Sequence, residues 1–357
     1  MHRVLLVNQD VIPHYRIAVY NFLTSYLRQF NFELMVTAAG FEDGNPQAIE
    51  CNYFKISPSL FRLSRLIREQ QIDIVISWVN MKHLFLLPLY LVVKGLLQKK
   101  MIYWGQGRDL LDQKNHLKNL AYLIEQLFCD AIILYTEPLK KHIPVAFHRK
   151  VFVANNTLHL DYSGFSSAQK KTILRRYCIN TKKNIILIGR MQKRKRVDHL
   201  LQAFKAMNRP DIGLILVGPD PEGLLTDATA ENIYHIGALY DIQKYDLLSS
   251  ADVFCLPGAV GLSIIDAFYC GLPLVTEDCC ESAESAYLKD GVNGFLVPDG
   301  NIEILAQKLQ LLMDDDALRR RFSKAALKVI KEEASMEKMA AGFRAALEYV
   351  SSKQTHA

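Results

Sequence analysis

Apolar, strand-like runs alternate with helix-like segments along the chain, and this alternation restricts the possible folds more than any other feature. In the first half we predict strands at residues 4–8, 32–38, 72–78, 101–105 and 131–135, and helices at 15–30, 60–70, 84–99 and 116–128. Strands that alternate with helices form parallel sheets with right-handed crossovers. The alternation resumes at residues 185–188 and continues to about residue 275, which predicts a second sheet of the same kind.

The length of the chain fits two domains. At 357 residues it exceeds the size at which a single hydrophobic core stops growing. The polar segment 159–183 is the predicted linker between the two halves. Ligands of such sheets bind beyond the carboxyl ends of the strands, so the sequence predicts a site in the cleft between the two domains.

A strongly basic loop follows the first predicted strand of the second half. Residues 189–197 carry five cations directly after the apolar strand 184–188. Alone, such a charge run is typical of a solvated loop. Residues 256–275 then predict a strand, a glycine-rich turn, a helix and another strand. A helix start reached through small residues presents free backbone N–H groups, so the two segments together indicate a phosphate site.

These segments resemble the C-terminal half of family 4 glycosyltransferases. Gly189, Arg190 and Lys195 match the residues with which that family grips the donor diphosphate. Further matches, in order and spacing, are residues 252–257, the Gly-Leu-Ser turn at 261–263, the Cys-Gly-Leu-Pro run at 270–273, and the segment 290–297. The resemblance covers roughly residues 150–350.

The resemblance implies the GT-B fold, with two Rossmann-like, doubly wound domains that face a cleft. Residues 1–160 would bind the acceptor, residues 161–335 would bind the nucleotide sugar, and a final helix at 336–350 would pack back on the first domain. The implied reaction moves a sugar, with retention, from a nucleoside-diphosphate sugar to a lipid-linked or surface-polysaccharide acceptor. Neither a cofactor nor a metal is expected.

The same resemblance assigns roles to individual residues. Arg190 and Lys195 are the candidate catalytic residues, because fixed cations stabilise the charge that builds on the departing diphosphate. We expect their substitution to lower turnover with little change in stability. The candidate donor-binding residues are Gly189, Gly258, Gly261, Leu262, Ser263, Asp266 and Glu284. Arg194 and Arg196 are expected to be solvated or to face the acceptor.

One departure from the family pattern concerns its pair of glutamates, which are separated by seven residues. Gly258 stands at the first position and Asp266 at the second. Asp266 can still accept two ribose hydroxyls, whereas Gly258 has no side chain with which to bind a sugar. Glu281 or Glu284 could supply a replacement carboxylate, although both also fit exposed loop acids. The Asp-x-Asp spacing at 314–316 lies between two helical runs and predicts a helix N-cap.

Candidate acceptor residues follow two strands of the first half. His14 and Arg16 lie in the loop after the first strand, and Gln106 and Arg108 lie in the turn 104–109. Related sequences often carry a histidine where Gln106 stands, so no imidazole base is available there. Each of these residues has a structural and a functional interpretation, and the sequence does not decide between them.

The basic excess of the chain lies in its N-terminal part. The net charge is +6, yet residues 1–171 carry 20 Lys and Arg against 13 Asp and Glu, so the remainder is slightly acidic. A one-sided field of this kind suits an anionic membrane surface or acceptor. Residues 60–68, with arginines at every third position, either contact anionic lipid or form a core-packed helix with a basic edge.

Several protein classes are excluded. A nucleic-acid recognition motif is absent from the sequence, and no Gly-x-Gly-x-x-Gly follows the first strand as in dinucleotide oxidoreductases. Seven cysteines without metal-ligand spacing predict reduced core residues. The longest apolar stretch, 84–93, is too short to span a bilayer, and the start does not resemble a signal peptide. We therefore expect a cytoplasmic protein, peripheral on the inner face of the plasma membrane.

Two alternatives to a glycosyltransferase remain open. A GT-B epimerase or hydrolase of sugar nucleotides would need a pair of placed carboxylates, and the sequence contains no clear pair. A catalytically degenerate partner subunit is the other alternative, because Gly258 removes a donor-binding carboxylate.

Overall fold

The computed structural model describes residues 1–42, 48–78, 81–110, 115–160, 169–225, 231–279 and 282–352. The chain divides into two compact units. Unit 1 comprises residues 1–159 and 334–357, and unit 2 comprises residues 160–333.

The described strands of unit 1 are β1 (His2–Val7), β2 (Val11–Ile12), β3 (Phe32–Ala38), β4 (Gly40–Phe41), β5 (Asn52–Lys55), β6 (Ile74–Ser77), β7 (Lys100–Gly105), β8 (Ala131–Leu134) and β9 (Val151–Val153). Seven of them form a parallel sheet in the order β5-β3-β1-β6-β7-β8-β9. β2 and β4 pair separately. The interior strand β1 is apolar along Val4–Val7 because helices cover both faces of a parallel sheet.

The helices of unit 1 are α1 (His14–Arg28), α2 (Leu60–Glu69), α3 (Leu89–Leu91), α4 (His116–Phe128) and, from the end of the chain, α11 (Met336–Ser352). α11 supplies fully buried side chains, among them Met339, Phe343 and Leu347, to the same core as Leu6 of β1. The hydroxyl of Thr157 donates to the carbonyl of Ala334 at 2.5 Å, which ties the two ends of unit 1 together.

Unit 2 has a second parallel sheet, in the order β12-β11-β10-β13-β14-β15. Its strands are β10 (Lys183–Ile188), β11 (Ile212–Val217), β12 (Ile233–Ile236), β13 (Val253–Cys255), β14 (Leu274–Glu277) and β15 (Gly294–Val297). Its helices are α5 (Lys170–Arg176), α6 (Val197–Met207), α7 (Asp241–Ser249), α8 (Ser263–Tyr269), α9 (Ile302–Asp314) and α10 (Asp316–Glu332). Residue 185 of β10 pairs with Leu214 of β11 and with Val253 of β13, so β10 lies in the middle of the sheet.

The predicted helix 84–99 is wrong as a single helix. The structure has a 3-10 segment at Met81–Leu86, the short α3, and a π-helical segment at Val92–Leu96. Pro88 lies between the first two and cannot donate a backbone N–H, which explains the break. Sequence periodicity also missed the short strands β2, β4 and β5.

Part of the predicted linker 159–183 belongs to unit 2. It contains α5, whose Lys170 pairs with Asp252 at 3.1 Å. Residues 161–168 lie outside the described part of the chain. The predicted N-cap is confirmed at Asp315, whose carboxylate accepts from the amides of Ala317 and Leu318 at 2.9 Å.

α2 packs as an ordinary core helix with a basic edge. Leu63, Leu66 and Ile67 are buried, while Arg62, Arg65 and Arg68 are exposed. Arg65 pairs with Glu69 one turn later at 2.7 Å. Of the two interpretations given for residues 60–68, the structure supports core packing.

The cysteines are less uniformly buried than predicted. Cys51, Cys129 and Cys255 are buried, Cys270 and Cys279 are half-buried, and Cys178 is exposed. The assignment of Cys178 to the core is therefore wrong, because it lies in a turn after α5 and not in an element. Cys280 lies outside the described residues. Among the described helices, none is long and apolar enough to cross a bilayer.

Candidate functional site

The basic loop of unit 2 leaves the carboxyl end of β10. Gly189 begins the loop with a φ of 145°, and its amide donates to the carbonyl of Val217 at 2.9 Å. A side chain at Gly218 would place its Cβ 2.1 Å from the carbonyl oxygen of Gly189. The loops after β10 and β11 therefore meet backbone to backbone, and only glycine allows that approach.

Arg190 is exposed, whereas the next residue, Met191, is fully buried. The amide of Met191 donates to the carbonyl of Pro219 at 2.9 Å, which fixes the direction of the loop. The guanidinium of Arg190 thus lies at the surface on an anchored stretch of backbone. This position can receive an anion from solvent.

Lys195, unlike Arg190, is buried, with only 8% of its surface exposed. Its ammonium donates to the carbonyl oxygens of Ala259 and Val260, the latter at 3.3 Å. Its own carbonyl accepts from the amide of Gly258 at 3.0 Å, and the carbonyl of Arg194 accepts from Ala259 at 2.9 Å. The basic loop and residues 258–260 therefore form one hydrogen-bonded unit.

This contact explains why glycine stands at position 258. A Cβ there would lie 2.2 Å from the carbonyl oxygen of Arg194 and 2.8 Å from the Cα of Lys195. Both atoms belong to the main chain and cannot move aside as a flexible side chain could. The glutamate that family 4 enzymes usually carry at this position is therefore incompatible with the backbone arrangement of this chain.

The three residues after Val260 lead into α8. Gly261, Leu262 and Ser263 are half-buried, and the hydroxyl of Ser263 donates to the carbonyl of Val260 at 2.6 Å. Among the described residues, no backbone carbonyl accepts from the amides of these three residues. Free N–H groups at a helix start favour negative charge. They follow directly after the carbonyls that hold Lys195.

Asp266 is buried on α8 and already has two donors. Its Oδ1 accepts from the ammonium of Lys244 and from the hydroxyl of Tyr245, both at 2.8 Å. Burial raises the pKa of the Tyr245 hydroxyl far above its usual value, and the charge of Asp266 raises it further. Tyr245 is therefore a permanent donor. The proposed ribose contact of Asp266 has to coexist with these two bonds.

Glu284 is only 5% exposed, so the interpretation of this residue as an exposed loop acid is wrong. It lies in the 3-10 segment Ala283–Tyr287, which begins with a capping box at Ser282. The pKa of Tyr287 is raised first by burial and then by the charge of Glu284. Glu281 lies outside the described residues.

Glu277, at the end of β14, is a buried acid that lies beside the basic loop and that the sequence analysis did not single out. Its buried carboxylate accepts from Arg196 at 2.5 Å, from His199 Nδ1 at 2.8 Å and from the amide of Gly300 at 3.1 Å. Arg196 also donates to Asp299. The expectation of a solvated or acceptor-facing Arg196 is therefore wrong, since its guanidinium is neutralised within unit 2.

The pairing of Arg196 has an electrostatic consequence. The hydrogen bond to Asp299 raises the pKa of the guanidinium above its usual value, and the bond to Glu277 adds to this against the opposing effect of burial. Glu277, Cys279 and Asp299 bring potential metal-ligand atoms within 4.8 Å of one another. Because Arg196 contacts both carboxylates, a cation already compensates this cluster.

In unit 1, Arg16 is the most enclosed of the candidate acceptor residues. It is 9% exposed, and its Nη2 donates to Asn156 Oδ1 at 2.8 Å. Its guanidinium carbon lies 5.3 Å from the ring centroid of Trp104 and 5.5 Å from that of Tyr15. Its buried Nη1 has no hydrogen-bond acceptor among the described residues. A buried guanidinium with an unused donor is suited to an anionic group.

The other three acceptor candidates are less enclosed. His14 is exposed, and its Nδ1 lies 3.2 Å from a carboxylate oxygen of Glu42. Gln106 and Arg108 are half-buried on either side of Gly107, whose amide donates to the hydroxyl of Tyr103 at 2.8 Å. The sequence analysis placed His14 and Arg16 in the loop after the first strand, which is wrong, because both lie in the first turn of α1. Trp104 of β7 contacts Arg16, so the structure brings the start of α1 close to the end of β7.

Comparisons with known proteins identify the second half of the chain. Residues 169–329 match the family described as Glycosyl transferases group 1. A phosphatidyl-myo-inositol mannosyltransferase of Mycobacterium leprae is 32% identical over 159 residues, which are 42% of this chain and 42% of the relative. The chain therefore matches about two fifths of that relative's length. An uncharacterized glycosyltransferase of Haemophilus influenzae is 25% identical over 82% of this chain and 80% of its own.

A solved structure extends the likeness to the whole chain. The Anabaena protein HepE, in complex with UDP-glucose, has a TM-score of 0.77 and 14% identity, covering 99% of this chain and 100% of its own. At that identity the likeness shows the fold alone. The predicted GT-B fold is confirmed. The match of residues 169–329 supports the predicted enzyme class, while an epimerase or hydrolase is not favoured. Residues 169–329 are therefore similar to the group 1 glycosyl transferases, within a chain of GT-B fold.

Proposed function

We propose that this protein transfers a sugar, with retention and without a metal, from a nucleoside-diphosphate sugar to a lipid-linked or surface-polysaccharide acceptor. The observation that carries the proposal is the buried ammonium of Lys195 beside the start of α8. The carbonyl oxygens of Ala259 and Val260 orient this ammonium, and they fix a cation beside the glycine-rich turn before a diphosphate binds.

The chemistry follows from where charge develops. As the bond to the donor sugar breaks, negative charge builds on the departing diphosphate, and groups fixed in advance around it stabilise the transition state. The buried ammonium of Lys195 supplies a point charge, the exposed guanidinium of Arg190 supplies a planar pair of donors, and the amides of residues 261–263 supply dipoles. Together these groups replace the divalent cation that other glycosyltransferases use.

The donor nucleoside is assigned to Asp266, whose buried carboxylate can accept ribose hydroxyls in addition to Lys244 and Tyr245. Gly258 cannot bind the sugar through a side chain. We propose that the buried carboxylate of Glu284 binds the donor sugar in place of the glutamate missing at position 258. Glu284 lies on the 3-10 segment that follows β14 along the chain. Retention is carried over from the family 4 resemblance, which needs no carboxylate nucleophile.

For the acceptor, the unused Nη1 of Arg16 favours an anionic group such as a lipid phosphate. The name of the mycobacterial relative describes transfer to a phosphatidyl-inositol, which is also an anionic lipid. His14, Gln106 and Arg108 stay candidates for contacts to the acceptor. For the donor, the UDP-glucose complex of HepE makes uridine nucleotides the first to test.

Calorimetry with nucleotides tests the diphosphate site directly. We expect the protein to bind a nucleoside diphosphate more tightly than the matching monophosphate, and a thermal-shift panel of sugar nucleotides to identify the donor. A ligand at a hundred times its dissociation constant should add about 2.7 kcal/mol to the free energy of unfolding. Equal affinities for diphosphate and monophosphate would contradict the site.

Product analysis then separates transfer from the alternatives. Incubation with the donor and an undecaprenyl-phosphate-linked or phosphatidylinositol acceptor should yield a glycosylated lipid, in the presence of EDTA as well as in its absence. Release of free sugar or of an epimer without an acceptor product would indicate a hydrolase or epimerase. Donor binding with no turnover on any acceptor would indicate a partner subunit.

A further inference from the structure

α4 in unit 1 is turned with its leucines toward solvent. Leu117, Leu120, Leu123 and Leu127 are 76%, 53%, 43% and 57% exposed. The residues that α4 buries are Ala121, Glu125 and Gln126. At about 100° per residue the four leucines fall within an arc of roughly 120°, so they form one continuous stripe along the helix. We call these four residues the leucine stripe.

The polar residues beneath α4 fix this orientation. The hydroxyl of Tyr90 donates to Glu125 Oε1 at 2.7 Å. Gln126 Nε2 donates to the carbonyl of Gly107 at 2.6 Å, and the ammonium of Lys150 donates to the carbonyl of Gln126 at 2.8 Å. Rotating the helix to bury its leucines would break these bonds and leave a buried carboxylate without its donor. The exposure of the leucine stripe is therefore built into the fold.

The segment before β7 lies beside α4 and is also apolar on its outside. Tyr90 of α3 makes the bond to Glu125, and the segment exposes Phe85, Leu91 and Leu96 at 55%, 54% and 67%. Exposed apolar side chains that lie singly are normal, but a set of this size on neighbouring elements marks an interaction surface.

Charge indicates what this surface meets. Residues 81–150 hold 11 Lys and Arg against 5 Asp and Glu, so their net charge equals the +6 of the whole chain. Glu125 is buried. The pairs Asp109–Lys118 at 2.8 Å and Asp130–Lys94 at 3.0 Å each cancel one acid against one cation, so the net charge of the segment is unchanged by them. Lys82, Lys141 and Arg149 are exposed.

We propose that the leucine stripe inserts into the interface of an anionic bilayer, with exposed cations of unit 1 such as Lys82, Lys141 and Arg149 meeting the headgroups. A helix with leucines on one face lies in the plane of a membrane, where buried apolar area and attraction of nearby cations to anionic lipid add together. This surface differs from α2, which buries Leu63, Leu66 and Ile67 in the core and exposes a single large apolar side chain, Phe61. The inference goes beyond the proposed function, because binding to lipid needs neither a donor nor turnover.

Vesicle flotation without any nucleotide tests the inference. The samples are wild type, the variant Leu117→Gln/Leu120→Gln/Leu127→Gln, and the matched control Leu311→Gln/Leu327→Gln, whose leucines are 40% and 39% exposed in unit 2. Vesicles of phosphatidylcholine are compared with vesicles that also contain phosphatidylglycerol. We expect the wild type and the control to bind the anionic vesicles, and the stripe variant to bind about tenfold more weakly or worse. Binding should weaken at high salt.

A fourth sample, Arg62→Gln/Arg65→Gln/Arg68→Gln, compares α2 with α4. We expect it to retain most of the vesicle binding, because α2 offers no comparable apolar face. Since the substituted leucines are exposed, the thermal midpoint of the stripe variant should stay near that of the wild type, which separates lost binding from lost folding.

Three results would overturn the inference. The first is failure of the wild type to bind anionic vesicles, and the second is equal binding by the stripe variant. The third is sedimentation showing a wild-type dimer that the stripe substitutions dissociate, since the stripe would then contact a second copy of the chain. Loss of binding in the stripe variant alone, with a monomeric wild type, supports the bilayer.

Discussion

The amide of Gly258 donates to the carbonyl of Lys195 at 3.0 Å, so the position where family 4 enzymes carry a glutamate is in direct backbone contact with the candidate diphosphate-binding lysine. The loss of one donor-binding side chain and the placement of Lys195 are thus parts of one arrangement. A glutamate at this position and a lysine loop at this distance exclude each other.

Substitution of Gly258 tests that arrangement. Gly258→Ala should destabilise the protein by about 1–3 kcal/mol, because its Cβ would overlap main-chain atoms of Arg194 and Lys195. Gly237→Ala is the matched control, since a Cβ at Gly237 meets no atom within 4 Å. Thermal or urea denaturation measures both. A Gly258→Ala protein as stable as the control would show that the loop can move away.

Alanine substitutions at Lys195 and Arg190 should have similar effects on turnover but different effects on stability. Each substitution to Ala should lower turnover by about 10² to 10³, by analogy with the loss of one preorganised donor. Only Lys195→Ala should also destabilise the fold, by about 1.5–3 kcal/mol, because its charged hydrogen bonds are buried. This replaces the expectation that neither change affects stability. Exposed Lys193 is the control, and near-wild-type rates in both variants would contradict the mechanism.

The role of Asp266 can be measured with a modified nucleotide. If Asp266 accepts ribose hydroxyls, the wild type should bind a dideoxyribose diphosphate more weakly than the ribose form, and Asp266→Asn should lose much of that discrimination. Tyr245→Phe removes one hydrogen bond to Asp266, which costs about 1 kcal/mol of stability but leaves the discrimination intact. Undiminished discrimination in Asp266→Asn would leave Asp266 with a structural role only.

Arg16 should affect the acceptor and not the donor. Arg16→Lys removes the planar fork and its bond to Asn156, so kcat/KM for the acceptor should fall by about tenfold or more. Nucleotide affinity should not change. Arg28→Lys, at an exposed position of the same helix α1, is the control. Equal acceptor kinetics in Arg16→Lys and the control would remove Arg16 from the site.

The thiols of Cys51, Cys129 and Cys178 should react with an alkylating reagent at different rates. Burial raises the pKa of Cys51 from 9.0 to about 11 and that of Cys129 from 9.0 to about 12. Cys178 is exposed. Mass spectrometry after brief alkylation at pH 8 should therefore find Cys178 modified before the other two. Rapid modification of Cys51 or Cys129 in the folded protein would contradict the burial of these side chains.

The same shifts predict a loss of stability at alkaline pH. A thiol whose pKa is raised by folding contributes stability that is fully present below its unfolded value, and that contribution is lost as the pH rises toward the folded value. For Cys51 this interval runs from about 9 to about 11. The thermal midpoint of wild type should fall across that range more than that of Cys51→Ala.

The sequence was most informative where local pattern and structure coincide. β3 and α4 were predicted at the residues where they occur, because a short apolar run and the helical spacing of apolar residues are local signals. The helix predicted at 84–99 failed because Pro88 and a π-helical turn interrupt an otherwise apolar run. The exposure of the α4 leucines could not be predicted, since a helical stripe of leucines normally faces a core.

The residues of the candidate site also divide into those with a local sequence signal and those without one. Lys195 and residues 261–263 were identified because glycine-rich and basic motifs are contiguous in sequence. The burial of Lys195 against Ala259 was not predictable, and neither was the pairing of Arg196 with Glu277, 81 residues away. Such partners are brought together by the order of β10, β13 and β14 in the sheet, which no local pattern records.

The return of α11 to unit 1 affects how this chain folds as it is synthesised. Unit 2 is continuous in sequence, whereas the core of unit 1 includes Phe343 and Leu347, which are synthesised only after the whole of unit 2. Domains usually fold in order from the N-terminus as they emerge from the ribosome. Here, by contrast, we expect unit 2 to be able to fold first, because the core of unit 1 stays incomplete until α11 has been synthesised.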